Sequence, residues 1–242
     1  NILIPPIKYL PQMVAGHVVS KDQLTWTMTL RDGLRFHDGE PVLGRDVVAS
    51  IKRWAARDAL GHELMAVTNE IASPNDKTIV LRLSKPFPML PMALGKANPT
   101  TAAIMPERIA RTPPGTQIKE AIGSGPLRFL ANEWVPGARA AYQKFEHYVP
   151  RQEPGSFVAG GKRALVDRVE ILIMPDGTTA VSAMVAGEAD ALHGIGSDYR
   201  PILERAPGIR MVRSPAPQVM TLTLNHLQPP FNDPAIRRAL LS

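Results

Sequence analysis

One run near the front constrains this chain more than any other. Leu24-Thr-Trp-Thr-Met-Thr-Leu30 leads through Arg31-Asp-Gly-Leu-Arg-Phe-His-Asp-Gly-Glu-Pro41 to Asp46-Val-Val-Ala-Ser-Ile-Lys-Arg-Trp54. Leu24, Trp26, Met28 and Leu30 alternate with three threonines, the period of a strand with one buried face. Asp32-Gly33 and Asp38-Gly39 carry turn chemistry, with glycine free to take positive φ. Val47, Val48, Ile51, Trp54 and Ala55 then share one face of a helix. The run reads as strand, hairpin, helix.

The rest of the chain divides into a strand-rich front and a rear in which strands and helices alternate. In the front, Gly61 is expected to stop the first helix. A hairpin follows over Ile71 to Leu83, turning at Pro74-Asn-Asp76. Short helices are expected over Pro86 to Gly95 and Pro106 to Ala110, with a strand at Ala103-Ile-Met105 between them. Gly123-Ser-Gly-Pro126 turns into a strand at Leu127 to Leu130, and Val135-Pro-Gly137 turns back into Ala140-Ala-Tyr142. Pro150 to Arg163 is rich in glycine and proline and reads as an irregular excursion. In the rear, strands are expected at Val169 to Met174, Asp190 to Leu192, Ile209 to Val212 and Val219 to Leu224. Helices are expected from Asp176 to Gly187 and from Asp198 to Ala206. That alternation predicts a mixed α/β sheet.

Composition narrows the function. The 242 residues suffice for one large or two modest domains. Hydrophobic residues at 44% and charged residues at 21% are ordinary for a globular chain. The net charge of +6 raises nucleic-acid binding, but the basic residues are dispersed among acidic ones, and aromatics at 5% are too few for base-stacking platforms. A solvated basic surface accounts for the charge. With no cysteine there are no disulfides and no thiolate metal sites. No apolar run approaches the roughly 20 residues that span a bilayer, and no signal peptide is present. The chain opens without methionine and closes inside an expected helix, so both ends read as cut.

No catalytic pattern stands up. Gly123-Ser-Gly125 fails the nucleophile-elbow spacing. Gly155 to Lys162 fails the phosphate-loop spacing, and Arg163 stands where a hydroxyl would hold magnesium. His37 with Asp38 raises metal binding or a hydrolase, but the other histidines show no ligand spacing, and a turn is the simpler account. Trp26, Trp54 and Trp134 read as core. No cofactor is called for.

The opening run resembles the signature of the family 5 extracellular solute-binding proteins, the peptide-, nickel- and opine-type receptors of ABC importers. Further pieces follow in the family's order: Lys85-Pro-Phe-Pro88, Ile104-Met-Pro-Glu107, Ile122-Gly-Ser-Gly-Pro-Leu127, Glu133-Trp-Val-Pro-Gly137, Asp167-Arg-Val-Glu170 and Ala186-Gly-Glu-Ala-Asp190. Leu224-Asn-His-Leu-Gln-Pro-Pro-Phe-Asn-Asp233 and Ile236-Arg-Arg-Ala-Leu240 complete the series. The resemblance implies an α/β fold of the type II (cluster C) periplasmic-binding-protein kind, truncated to an inserted α+β domain plus part of the first α/β lobe. Residues 1–164 would form the inserted subdomain, 165–222 the core of the first lobe, and 223–242 the crossover and start of the opposing lobe.

The resemblance further implies capture of a peptide or similar small solute outside the cytoplasmic membrane, by closure of two lobes, and delivery to membrane permease subunits. It implies no catalysis. A non-transport sensory receptor on the same fold, and a hydrolase using His37 and Asp38, stay open as alternatives. Met220, Thr221, Thr223 and Asn225 are the candidate ligand contacts, because by resemblance this strand crosses between lobes. Asn225 carries both a donor and an acceptor for a peptide backbone. Its other reading is as the cap of the crossover before Pro229-Pro230.

Overall fold

A computed structural model describes residues 10–96, 100–156, 159–212 and 222–240. The chain separates into two compact units, the first ending at Ile173 and the second beginning at Met174.

The first unit opens with β1 (Val14–Val19) and β2 (Thr25–Leu30), followed by helices α1 (Gly44–Ala55) and α2 (Ala59–Ala66) and the hairpin β3 (Thr68–Asn75) and β4 (Thr78–Leu83). The strands form one antiparallel sheet in the order β1-β2-β4-β3. The alternation of β2 does what its period demands. Trp26, Met28 and Leu30 are buried, and Trp26 and Met28 lie opposite Leu81 and Ile79 of β4. These cross-strand pairs make one apolar face. Val47, Ile51, Trp54 and Ala55 of α1 are buried in the same core cluster. A valine- or isoleucine-sized side chain removed from water contributes about 1.5–3 kcal/mol.

β1 is not announced by the residues, because Gly16 and His17 interrupt its alternation and all six of its residues stay partly or fully exposed. Its register against β2 shifts between Val14 and Gly16. Gly61 does not end the first helix. It sits inside α2, whose N-cap is Asp58, with the carboxylate accepting from the N–H groups of Leu60 (3.0 Å) and Gly61 (3.1 Å). A Cβ on Gly61 would fall 2.4 Å from the Cα of Ala55. The glycine is therefore there for close approach of one helix to the next.

Beyond the hairpin come α3 (Leu90–Gly95) and α4 (Glu107–Ala110), then a second antiparallel sheet of β5 (Leu127–Phe129), β6 (Arg139–Lys144) and β7 (Arg168–Leu172) in that order. Ala103–Met105 is not a strand. The first unit extends past residue 164 because β7 pairs with β6, from Gln143↔Arg168 to Arg139↔Leu172. Trp134 is 51% exposed rather than core, its ring set edge-on to Phe129 at 6.0 Å.

The second unit carries α5 (Gly177–Val185), α6 (Arg200–Arg205) and α7 (Pro234–Ala239). Asp176 caps α5, its carboxylate accepting from Thr179 N–H (2.7 Å) and Thr179 Oγ1 (2.8 Å). The Tyr199 ring lies against the start of α5, so that a Cβ on Gly177 would meet it at 2.8 Å. The strands expected at Asp190–Leu192 and Ile209–Val212 are not formed, and Leu222–Leu224, the described part of the last one, is not a strand either. A strand exists only through a hydrogen-bonded neighbour. Among the described residues of this unit none lies beside these segments, so no mixed α/β sheet is seen there.

Candidate functional site

Helix α1 also carries hydrogen-bonding groups along one edge of its buried stripe. Asp46, Ser50 and Trp54 follow at intervals of four, one above another on the helix surface. Asp46 Oδ2 accepts from Leu43 N–H at 2.8 Å, closing the helix start, while Oδ1 accepts from Glu107 N–H at 2.7 Å. Ser50 Oγ donates to the Met105 carbonyl and accepts from the Met105 N–H. Trp54 Nε1 donates to the Thr100 carbonyl at 2.7 Å. Arg53 donates to the carbonyls of Thr112 and Thr116. One helix thus holds the backbone from residue 100 to 116. The four-residue spacing of Asp46, Ser50 and Trp54 was the available signal for it.

The loop between β2 and α1 holds the next segment. His37 Nδ1 lies 3.3 Å from Gly123 N–H, and Nε2 lies 3.0 Å from the Gly125 carbonyl. The first must accept, so the second carries the proton, and the ring is neutral in its Nε2–H tautomer. Burial lowers the His37 pKa from its ordinary value, in keeping with that state. Phe145 meets the ring edge-on at 5.1 Å. Asp38 accepts from Glu40 N–H at 3.2 Å and pairs with Arg108 at 3.3 Å. Both His37 nitrogens are committed to backbone groups, which makes the ring a brace between the loop and residues 123–125. No group of three metal-ligating side chains gathers among the described residues.

A third polar centre lies at the turn between α1 and α2. Asp58, 4% exposed, pairs with Lys96 and accepts from Thr100 Oγ1 at 2.7 Å. Lys96 also stands 5.5 Å from the Trp54 ring centroid. Burial pushes the Asp58 pKa up, but the hydrogen bonds from Lys96, Thr100 and Gly61 N–H outweigh it and leave the carboxyl at about 2.

The candidate ligand contacts fall in the second unit. Met220 and Thr221 lie outside the described residues. Thr223 and Asn225 are exposed and flank Leu224. Asn225 Oδ1 accepts from Leu227 N–H at 3.2 Å, and its carbonyl accepts from Gln228 N–H at 3.3 Å, an Asx turn leading to the prolines. One concavity in the first unit, about 230 Å³, is bordered by Asp38, Arg45, Glu107 and Arg108, side chains already tied in ion pairs.

The chain matches a known architecture over most of its length. The peptide-binding protein DppA of Helicobacter pylori, solved in complex with the peptide STSA, superposes with a TM-score of 0.63 at 22% identity, over 81% of this chain and 40% of its own. The fold is that of the type II periplasmic binding proteins. The family description "Bacterial extracellular solute-binding proteins, family 5 Middle" matches residues 8–242, and the chain belongs to that family. It is 42% identical over 234 residues to a probable peptide ABC transporter periplasmic-binding protein of Sinorhizobium fredii, covering 96% of this chain and 44% of the relative. To the probable D,D-dipeptide-binding periplasmic protein DdpA of Escherichia coli it is 27% identical, over 91% of this chain and 41% of the relative. The chain therefore spans under half the length of these curated relatives. No helix among its described residues is long and apolar enough to cross a membrane.

Proposed function

We propose that the protein to which these residues belong captures a peptide, or a small solute of similar chemistry, outside the cytoplasmic membrane and hands it to the permease subunits of an ABC importer. The observation that carries this reading is the 42% identity, over 96% of the chain, to a probable peptide-importer binding protein. Two lobes would close on the solute, and contacts made to both would favour the closed state. Residues 1–164 would form the inserted subdomain, 165–222 part of the first lobe and 223–242 the crossover. No bond is made or broken by the protein in this reading.

Met220, Thr221, Thr223 and Asn225 would contact the solute from the crossover. A second reading for Asn225 is favoured by its hydrogen bond to Leu227 N–H, under which it serves the turn and leaves binding to its neighbours. The test is a thermal-shift titration with pooled di- to pentapeptides, on this chain and on a protein of the relatives' full length. Stabilisation of the full-length protein supports the reading. No shift in either chain overturns it.

A further inference from the structure

Strand β7 is an open edge of the second sheet. Lys144 N–H donates to the Asp167 carbonyl and Ile173 N–H to the Ala138 carbonyl, both at 2.8 Å. The odd-numbered residues between them therefore turn their main-chain groups toward β6. Those of Arg168, Glu170 and Leu172 point the other way, where no strand pairs with β7 among the described residues. Leu165, Val166, Ile171, Leu172 and Ile173, along and just beside this edge, are all exposed. Edge strands are ordinarily blunted by proline, by lysine or by a covering segment. β7 contains neither residue, and its arginine is folded back onto Glu133 and Glu170.

The edge is complementary to itself. Two copies of β7 can pair antiparallel about a two-fold axis, and the order of residues distinguishes the registers. With the axis at Val169, Arg168 stands opposite Glu170 of the second copy, and Glu170 opposite its Arg168. Carried just past the strand ends, the same register sets Val166 opposite Leu172 and Leu165 opposite Ile173. An axis at Arg168 would set arginine against arginine, and one at Glu170 glutamate against glutamate, both destabilising. An axis at Ile171 would set Glu170 against Leu172. Of these four, only the Val169 register joins opposite charges and also matches apolar residues.

We propose that β7 is a docking surface for a second copy of this chain, the three-stranded sheets of the two copies joining across the Val169 axis into one antiparallel sheet. Arg168 of each copy exchanges main-chain hydrogen bonds with Glu170 of the other. Their side chains gather as alternating charges on one face, while the two Val169 side chains meet on the opposite face. An edge of five residues makes a small interface, so the pairing is weak and depends on concentration. This inference does not rest on the peptide-import reading.

The test exploits a chain without cysteine. Val169→Cys places two thiols on the axis, where facing Cα atoms of a non-hydrogen-bonded pair lie about 4.5 Å apart, within disulfide reach. Under mild oxidation this variant is expected to form a covalent dimer about tenfold faster than Ile171→Cys, although Ile171 is the more exposed of the two. A second arm follows the unaltered chain by sedimentation velocity, where the mean mass should rise with concentration. Glu170→Arg and Arg168→Glu are each expected to stay monomeric where the unaltered chain associates. Their equimolar mixture restores both opposite-charge pairs and is expected to dimerise, which also shows that both variants fold. An unaltered chain that stays monomeric up to about 1 mM, or equal cross-linking of the two cysteine variants, overturns the proposal. So does association that Glu170→Arg leaves unchanged, since it then belongs to another surface.

Discussion

Ser50 and Met105 are joined twice: the serine Oγ donates to the methionine carbonyl at 3.1 Å and accepts from its N–H at 3.0 Å. Ser50 is 1% exposed and Met105 is half-buried, so water replaces these two bonds poorly. Ser50→Ala is expected to cost about 2 kcal/mol, the desolvation penalty of buried groups left unpaired. A urea midpoint within error of the unaltered chain would contradict that.

Gly61→Ala tests two effects of opposite sign. Helix propensity alone favours alanine by about 1 kcal/mol. Against it, the new methyl would fall 2.4 Å from backbone Cα of Ala55, which no side-chain rotation relieves. The clash is expected to win, with net destabilisation of about 1–3 kcal/mol. A stabilised variant would mean that the two helices can part at little cost.

Acidification should act through His37. Its folded pKa lies below the ordinary 6.5, so the unfolded chain takes up the proton first. The contribution of His37 is therefore full above about pH 6.5. It fades as pH falls through the folded value. His37→Phe, which strands Gly123 N–H and the Gly125 carbonyl, is expected to cost about 2 kcal/mol near pH 7.5. The gap between the two proteins should narrow toward pH 5; denaturant midpoints that stay parallel over that range would refute the linkage.

Asp58 works in the same direction but lower on the scale. Its carboxyl, held at about 2, stabilises the fold above the usual carboxylate range near pH 4, and the benefit is lost as pH falls toward 2. Asp58→Asn leaves Lys96, whose side chain is 16% exposed, without its counter-charge. Breaking such a pair costs about 3–5 kcal/mol. Lys96→Met together with Asp58→Asn should recover part of the loss, as a double-mutant cycle would show.

Where one periodicity governed a segment, the residues announced the structure. The alternation of β2 and the stripe of α1 are such cases, and so is the β3–β4 hairpin. Elements defined by a partner distant in sequence were less legible. Ala103–Met105 has strand-like residues, but the N–H and carbonyl of Met105 are satisfied by a serine side chain rather than by a neighbouring strand. Gly61 carries no mark to tell a helix end from a helix crossing. His37-Asp38-Gly39 reads as a turn, and it is one, yet its hold on Gly123 and Gly125 spans more than eighty positions and leaves no local trace. Thr223 and Asn225 are candidates by resemblance alone, since spacing does not single them out.

The holds exerted by Asp46, Ser50 and His37 share one property: each grips main-chain atoms, at Glu107, Met105, Gly123 and Gly125. A Cβ at Gly123 would stand 3.3 Å from the His37 ring, but at the other three positions such grips are indifferent to which side chains are carried, provided the chain keeps its path. Homologues are thus free to rewrite them with one kind of exception. Proline at 105, 107 or 123 would delete the very N–H that is held, so the history of this region should read as tolerance of almost any residue but one.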